Sequence, residues 1–151
     1  MPSALIRSAA PADFEHIARL LEELGRSPVV PQHAEHFRTT YLRHLARADT
    51  SDIVAVQDDQ IVGFLSLEFR ERLNRSTLEA WIPDLIVTSS ARGHGYGRQL
   101  LEAALHLARS RGCHCITLES GYQRTIAHQL YTNSGMINAG YFFTYPLINP
   151  E

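Results

Sequence analysis

Cysteine is scarce in this chain, long apolar runs are missing, and neither sign of charge prevails. The two cysteines, Cys113 and Cys115, stand one residue apart among 151 residues. That spacing predicts reduced thiols on one face of a strand, packed as small apolar groups. A zinc site would need further ligands at suitable spacing, and His114 between the cysteines would point the other way. No stretch approaches the roughly 18 apolar residues of a spanning helix, and Met1-Pro2-Ser3-Ala4 lacks the pattern of a secretory signal. A cytoplasmic protein with no membrane partner is the expectation. The net charge of −2 gives no reason to expect a nucleic-acid partner. With 44% hydrophobic and 20% charged residues, the composition predicts one domain, residues 1–151.

Two common phosphate motifs are missing as well. A P-loop requires a Gly-Lys pair, and the chain has none. The dinucleotide fingerprint needs glycines at relative positions one, three and six, followed about twenty residues later by an acid. Here the glycines of Arg92-Gly93-His94-Gly95-Tyr96-Gly97-Arg98 fall at one, three and five, and Gly112–Cys115 contains no acid. The stretch nonetheless joins an apolar strand, Leu85-Ile86-Val87, to an amphipathic helix starting near Tyr96. Glycines let a backbone approach its ligand closely, and the first N–H groups of a helix point outward unpaired. A phosphate-bearing ligand is therefore expected at this turn.

The rest of the chain alternates elements without a linker or repeat. Leu5–Arg7 reads as a strand. Phe14, Ile17, Leu21 and Leu24 recur at helical spacing after Pro11, until Gly25. A second helix runs to about Arg47. Ile53–Gln57 and Ile61–Phe69 flank the turn Asp58-Asp59-Gln60, and Thr77–Val87 is a long strand interrupted by Pro83. Tyr96–Arg111 is a helix, His114–Glu119 a strand and Arg124–Asn133 a helix. Met136–Ala139 and Tyr141–Leu147 are expected to close as a hairpin around Gly140. This order predicts a mixed α/β sheet with helices on both faces.

Two motifs in sequence now carry a family resemblance. Arg92, Gly95 and Gly97 match the Gln/Arg-x-x-Gly-x-Gly/Ala pyrophosphate loop of the GNAT superfamily of N-acetyltransferases. Asp84-Leu85-Ile86-Val87 precedes it, and Leu100-Leu101 follows. Downstream, Ser120-Gly121, Arg124, Ala127-His128, Leu130-Tyr131 and Gly135-Met136 resemble a pattern carried by a subset of that family. The match is close over residues 80–147 and extends to the N-terminal half only in element order. It implies a twisted, mostly antiparallel sheet of about seven strands with about four helices. Its central strands splay, and Pro83 suits a bulge there.

The same resemblance implies the chemistry. Acetyl-CoA would be the cosubstrate, held by Leu85, Ile86, Val87, the loop from Arg92 through Gly93, His94, Gly95, Tyr96 and Gly97 to Arg98, and Arg124. The acceptor would be a primary amine of a small molecule or peptide. Backbone N–H groups around Ile86 and Val87 would stabilise the oxyanion. Tyr131 would protonate the departing thiolate, or else pack as a core aromatic. Asp84 stands where some relatives carry an acidic pair, of which Pro83 replaces the first member. It would serve as base or amine anchor, or cap the bulge, with Glu79, Glu119 and water as other bases. Arg124 would contact cofactor phosphate or simply begin a helix, and His128 would make a structural hydrogen bond or join the site.

His33, His36 and His44 lie with Glu35 on or near the second helix, beside the implied acceptor cleft, and no metal is expected. Homodimers are frequent in the family, and Tyr141–Leu147 is the segment expected to mediate one. The competing functional class is a non-catalytic acyl-CoA-binding regulatory module.

Overall fold

The computed structural model describes residues 3–148, which divide into two compact units, one up to Leu118 and one from Glu119. The first contains β1 (Leu5–Ser8), α1 (Phe14–Leu24), α2 (Ala34–Ala46), β2 (Thr50–Gln57), β3 (Gln60–Arg70), β4 (Glu79–Ile82), β5 (Leu85–Val87), α3 (Tyr96–Ser110) and β6 (Cys115–Leu118). The second contains α4 (Thr125–Asn133).

The ends of α1 follow from local chemistry. Pro11 opens a short 3-10 turn, and the Asp13 carboxylate accepts the Ala10 N–H at 2.8 Å and the Arg7 guanidinium at 2.7 and 3.1 Å. Gly25 stops the helix at φ 104°, with its N–H and that of Arg26 returning to the Glu22 and Leu21 carbonyls. The apolar stripe between these caps buries Ile17, Leu20 and Leu24 against Val54, Phe64 and Ile86. Thus α1 packs on the strands that lead into the glycine turn.

The strand order is β1-β2-β3-β4-β6, with β5 also pairing β3. Every pairing is antiparallel except β4 with β6. The β2–β3 hairpin turns through Asp58 and Asp59, both at positive φ (50° and 60°), the geometry a two-residue turn needs to match strand twist. Gly63 lets α3 approach: a Cβ there would sit 2.9 Å from the Leu100 side chain and 3.2 Å from the Ile86 carbonyl oxygen.

Three expectations are corrected. The described residues form six strands rather than about seven, because the hairpin expected over Met136–Ala139 and Tyr141–Leu147 does not form. Strand-forming residue types such as these aromatics let a segment pair, but a strand also needs a neighbour for its backbone. Cys113 lies outside a strand: its N–H bonds to the Ala108 carbonyl, closing the end of α3 beyond Gly112 (φ 70°), so only Cys115 belongs to β6.

Candidate active site

Pro83 marks a bulge whose size can be counted. Between the pairs Glu68–Trp81 and Leu65–Leu85, β3 contributes two residues, Leu67 and Ser66, while the facing segment contributes Ile82, Pro83 and Asp84. The extra residue divides one strand line into β4 and β5. β4 continues to pair β6 as far as Ile82–Leu118, whereas β5 pairs only β3 among the described residues. One edge of β5 is open.

The bonds around the bulge say which groups face that edge. Ser66 N–H donates to the Asp84 carbonyl at 3.0 Å, and Thr88 N–H donates to the Val62 carbonyl at 2.8 Å. Antiparallel pairs alternate between bonded and non-bonded, so Phe64 and Ile86 form the bonded pair between them. The N–H groups of Leu85 and Val87 therefore point away from β3, and that of Ile86 points towards it. The Val87 carbonyl, on the open side, accepts Arg92 Nε at 3.0 Å.

Nine residues beyond Val87, α3 begins. Gly93 and Gly95 sit at φ 83° and 82°, left-handed values that a Cβ would strain. Gly95 caps the helix without a side chain, and Gln99 N–H to Gly95 O (3.0 Å) is the first helical bond. The N–H groups of Tyr96, Gly97 and Arg98 consequently have no acceptor within the helix, and they stand at its positive end. Arg92 through Gly95 are exposed, whereas the Tyr96 ring is buried and anchors the turn in the core.

Side chains from distant sequence brace this region. Glu23 of α1 accepts Thr88 Oγ1 at 2.9 Å and the Ser89 N–H at 2.6 Å, and lies 3.7 Å from Arg92. Arg98 pairs with Glu102 one turn along α3 at 2.9 Å. The Asp84 carboxylate accepts Arg26 Nε at 2.9 Å and Ser66 Oγ at 3.5 Å, and Arg26 also donates to the Pro83 carbonyl at 3.1 Å. Neither Glu23 nor Arg26 was legible as a site residue, since each follows ordinary helical patterning or a loop.

In the second unit, α4 places His128 three residues before Tyr131. His128 Nε2 lies 3.1 Å from Ser120 Oγ. Burial pushes the Tyr131 phenol above its ordinary range, and the positive charge of Arg124 works in the opposite direction. Arg124 occupies the position just before the first residue of α4. Glu79 is buried at the start of β4, between Arg70 and Arg72 at 3.3 Å each. It lies five residues, roughly 16 Å of strand, from Asp84, and its arginine partners give it a structural place. Glu119 is exposed. Among the described residues no group of His, Cys, Asp and Glu is arranged to hold a metal ion.

A strand broken by a bulge, one open backbone edge and a glycine-capped helix entrance together present a row of outward-facing backbone donors. The profile of the Acetyltransferase (GNAT) family matches residues 17–136, and the chain belongs to that family. It is 27% identical to the aminoalkylphosphonate N-acetyltransferase of Salmonella typhimurium over 95% of this chain and 92% of that one. A 68-residue stretch is 41% identical to an uncharacterized N-acetyltransferase of Bacillus subtilis, spanning 44% of this chain and 48% of that protein. A crystal structure of a transcriptional regulator from Bacillus halodurans superposes with a TM-score of 0.88 at 26% identity, covering 95% and 99% of the two chains.

Proposed function

We propose that this protein transfers an acetyl group from acetyl-CoA directly to a primary amine of a small molecule or peptide. The observation that carries the reading is the run of unused backbone donors from the open edge of β5 to the first turn of α3. The α3 donors fit a diphosphate, and the β5 edge fits an amide-bearing arm added like a strand. Bound acetyl-CoA supplies the activated acyl group.

The chain's own residues then have distinct tasks. Val87 N–H, and Leu85 N–H beside it, stabilise negative charge on the carbonyl oxygen as the amine nitrogen adds. As the new C–N bond forms and the C–S bond breaks, Tyr131 gives its phenolic proton to the departing sulfur. A phenol, with an ordinary pKa of about 10, is protonated at neutral pH and so can act as donor. Asp84 accepts the surplus amine proton through water or holds the incoming ammonium, with Arg26 fixing its carboxylate. Arg92, Arg98 and Arg124 add positive charge toward the phosphates.

Calorimetric titration with coenzyme A, followed by thiol release from acetyl-CoA over an amine panel, tests the reading. Aminoalkylphosphonates open the panel because a full-length relative is named for them. Micromolar coenzyme A binding with turnover on at least one amine supports it; no binding at millimolar ligand ends it. The second reading, an acyl-CoA-binding regulator, draws on the ion-paired state of Asp84 and on the structural likeness to the Bacillus halodurans transcriptional regulator. Binding without turnover on any amine selects it.

A further inference from the structure

The Arg92 guanidinium sits on the backbone edge that the thioester arm of the cosubstrate would use. Its Nε donates to the Val87 carbonyl oxygen at 3.0 Å. Register with β3 turns that oxygen, like the Val87 N–H, towards the open side of β5. An arm added like a strand needs acceptors as well as donors along its edge. Paired strands run about 4.8 Å apart. A guanidinium nitrogen 3.0 Å from the Val87 oxygen therefore stands in the lane of the incoming arm.

A second contact holds the arginine there. Glu23 of α1 lies 3.7 Å from the same guanidinium. That carboxylate is itself tied to the strand end, by Thr88 Oγ1 at 2.9 Å and by the Ser89 N–H at 2.6 Å. Both holds on Arg92 are modest. One joins a cation to a neutral oxygen; the other is long and screened by solvent, with the Arg92 side chain 55% exposed. Phosphate offers arginine two parallel bonds to charged oxygens, which is the stronger arrangement. The unused N–H groups of α3, beginning at Tyr96, would hold a phosphate within the same turn as Arg92.

We infer that Arg92 is a specificity-determining residue, admitting the thioester arm once a phosphate draws its guanidinium off the β5 edge. The inference rests on the acetyl-CoA reading above. The diphosphate end lands first, Arg92 turns from Val87 towards it, and the vacated carbonyl accepts an amide N–H of the arm. The site thereby selects phosphate-bearing thioesters over the same arm without phosphate. An arginine that merely touched phosphate would behave differently. Its removal would weaken the phosphate-bearing ligand and leave the phosphate-free arm untouched, whereas removing a mask weakens the first and strengthens the second.

Calorimetry with acetyl-CoA, S-acetylpantetheine and inorganic pyrophosphate, on wild type and Arg92→Ala, reads that difference in sign. S-acetylpantetheine should bind Arg92→Ala about tenfold more tightly than wild type, while acetyl-CoA binds it severalfold more weakly. Saturating pyrophosphate should raise the affinity of wild type for S-acetylpantetheine severalfold and leave that of Arg92→Ala unchanged. A thermal melt accompanies the variant. Should Arg92→Ala fail to fold, the pyrophosphate effect on wild type decides alone. S-acetylpantetheine binding that is unchanged by the substitution, or unchanged in wild type by pyrophosphate, overturns the inference and leaves the acetyl-CoA reading standing. Wild type that ignores acetyl-CoA at millimolar concentration overturns both.

Discussion

Arg26 and Asp84, 58 residues apart, meet at 2.9 Å and join the loop after α1 to the bulge between β4 and β5. Arg26 reaches the bulge twice, through the Asp84 carboxylate and the Pro83 carbonyl. The guanidinium is half-exposed while the carboxylate is mostly covered, so solvent screens the pair and its value for stability is small, about 0–1 kcal/mol. Its value is positional: it fixes the bulge.

Arg26→Gln should therefore leave the melting temperature within a few degrees of wild type while raising the KM for the amine several-fold. Asp84→Asn should raise that KM by at least tenfold. Steady-state kinetics beside a thermal melt check both. A large loss of stability with unchanged KM would assign Asp84 to the bulge alone.

Tyr131→Phe keeps the ring and removes the proton. The single-turnover rate of acetyl transfer should fall tenfold or more, with coenzyme A affinity within twofold of wild type. An unchanged rate would leave Tyr131 as a packing residue.

Gly95 separates conformation from contact. A Cβ there meets nothing within 4 Å, yet φ is 82°, so Gly95→Ala acts only through backbone strain of roughly 1–2 kcal/mol. Coenzyme A binding should weaken by about tenfold. Gly95→Asn should recover part of it, because asparagine enters the left-handed region more readily. Calorimetry on the three proteins reads the order directly.

His44 governs a pH dependence far from the glycine turn. Its Nδ1 lies 2.5 Å from Asp52 and its Nε2 3.6 Å from Glu68. The Asp52 hydrogen bond comes first among the causes that raise its pKa. Burial and Arg47 oppose the shift, and Asp52 and Glu68 charges add to it. A histidine raised on folding stabilises fully below its unfolded value of about 6.5, and the contribution fades as pH rises through the higher folded value. The stability gap between wild type and His44→Gln should thus be widest below pH 6 and narrow towards alkaline pH. Chemical denaturation at several pH values measures it.

Much of this fold is written locally. Pro11 and Gly25 bound α1, Asp58-Asp59 turn the hairpin, and Pro83 places the bulge, because each acts through its own backbone angles or its immediate neighbours. The glycine turn was legible for the same reason: a glycine-capped helix entrance needs only residues close in sequence. The α1 stripe was equally plain, since apolar residues at helical spacing can face only one way.

What distance in sequence hides is which group pairs with which. Glu23 holding Thr88 and Ser89, and Arg26 holding Asp84, depend on α1 packing across the strands that carry β5. That Leu85 and Val87, rather than Ile86, offer their N–H groups follows from register with β3, which no local pattern specifies. The segment after Gly135 makes the same point in reverse. Residues 136–148 are rich in strand-forming aromatic residues, yet they form no strand, because hydrogen bonding between strands requires a neighbour that only the assembled structure supplies. Sequence alone thus determined most of the elements, their breaks and the glycine turn; tertiary structure decided the partners, since pairing energies exist only once remote segments have been brought together.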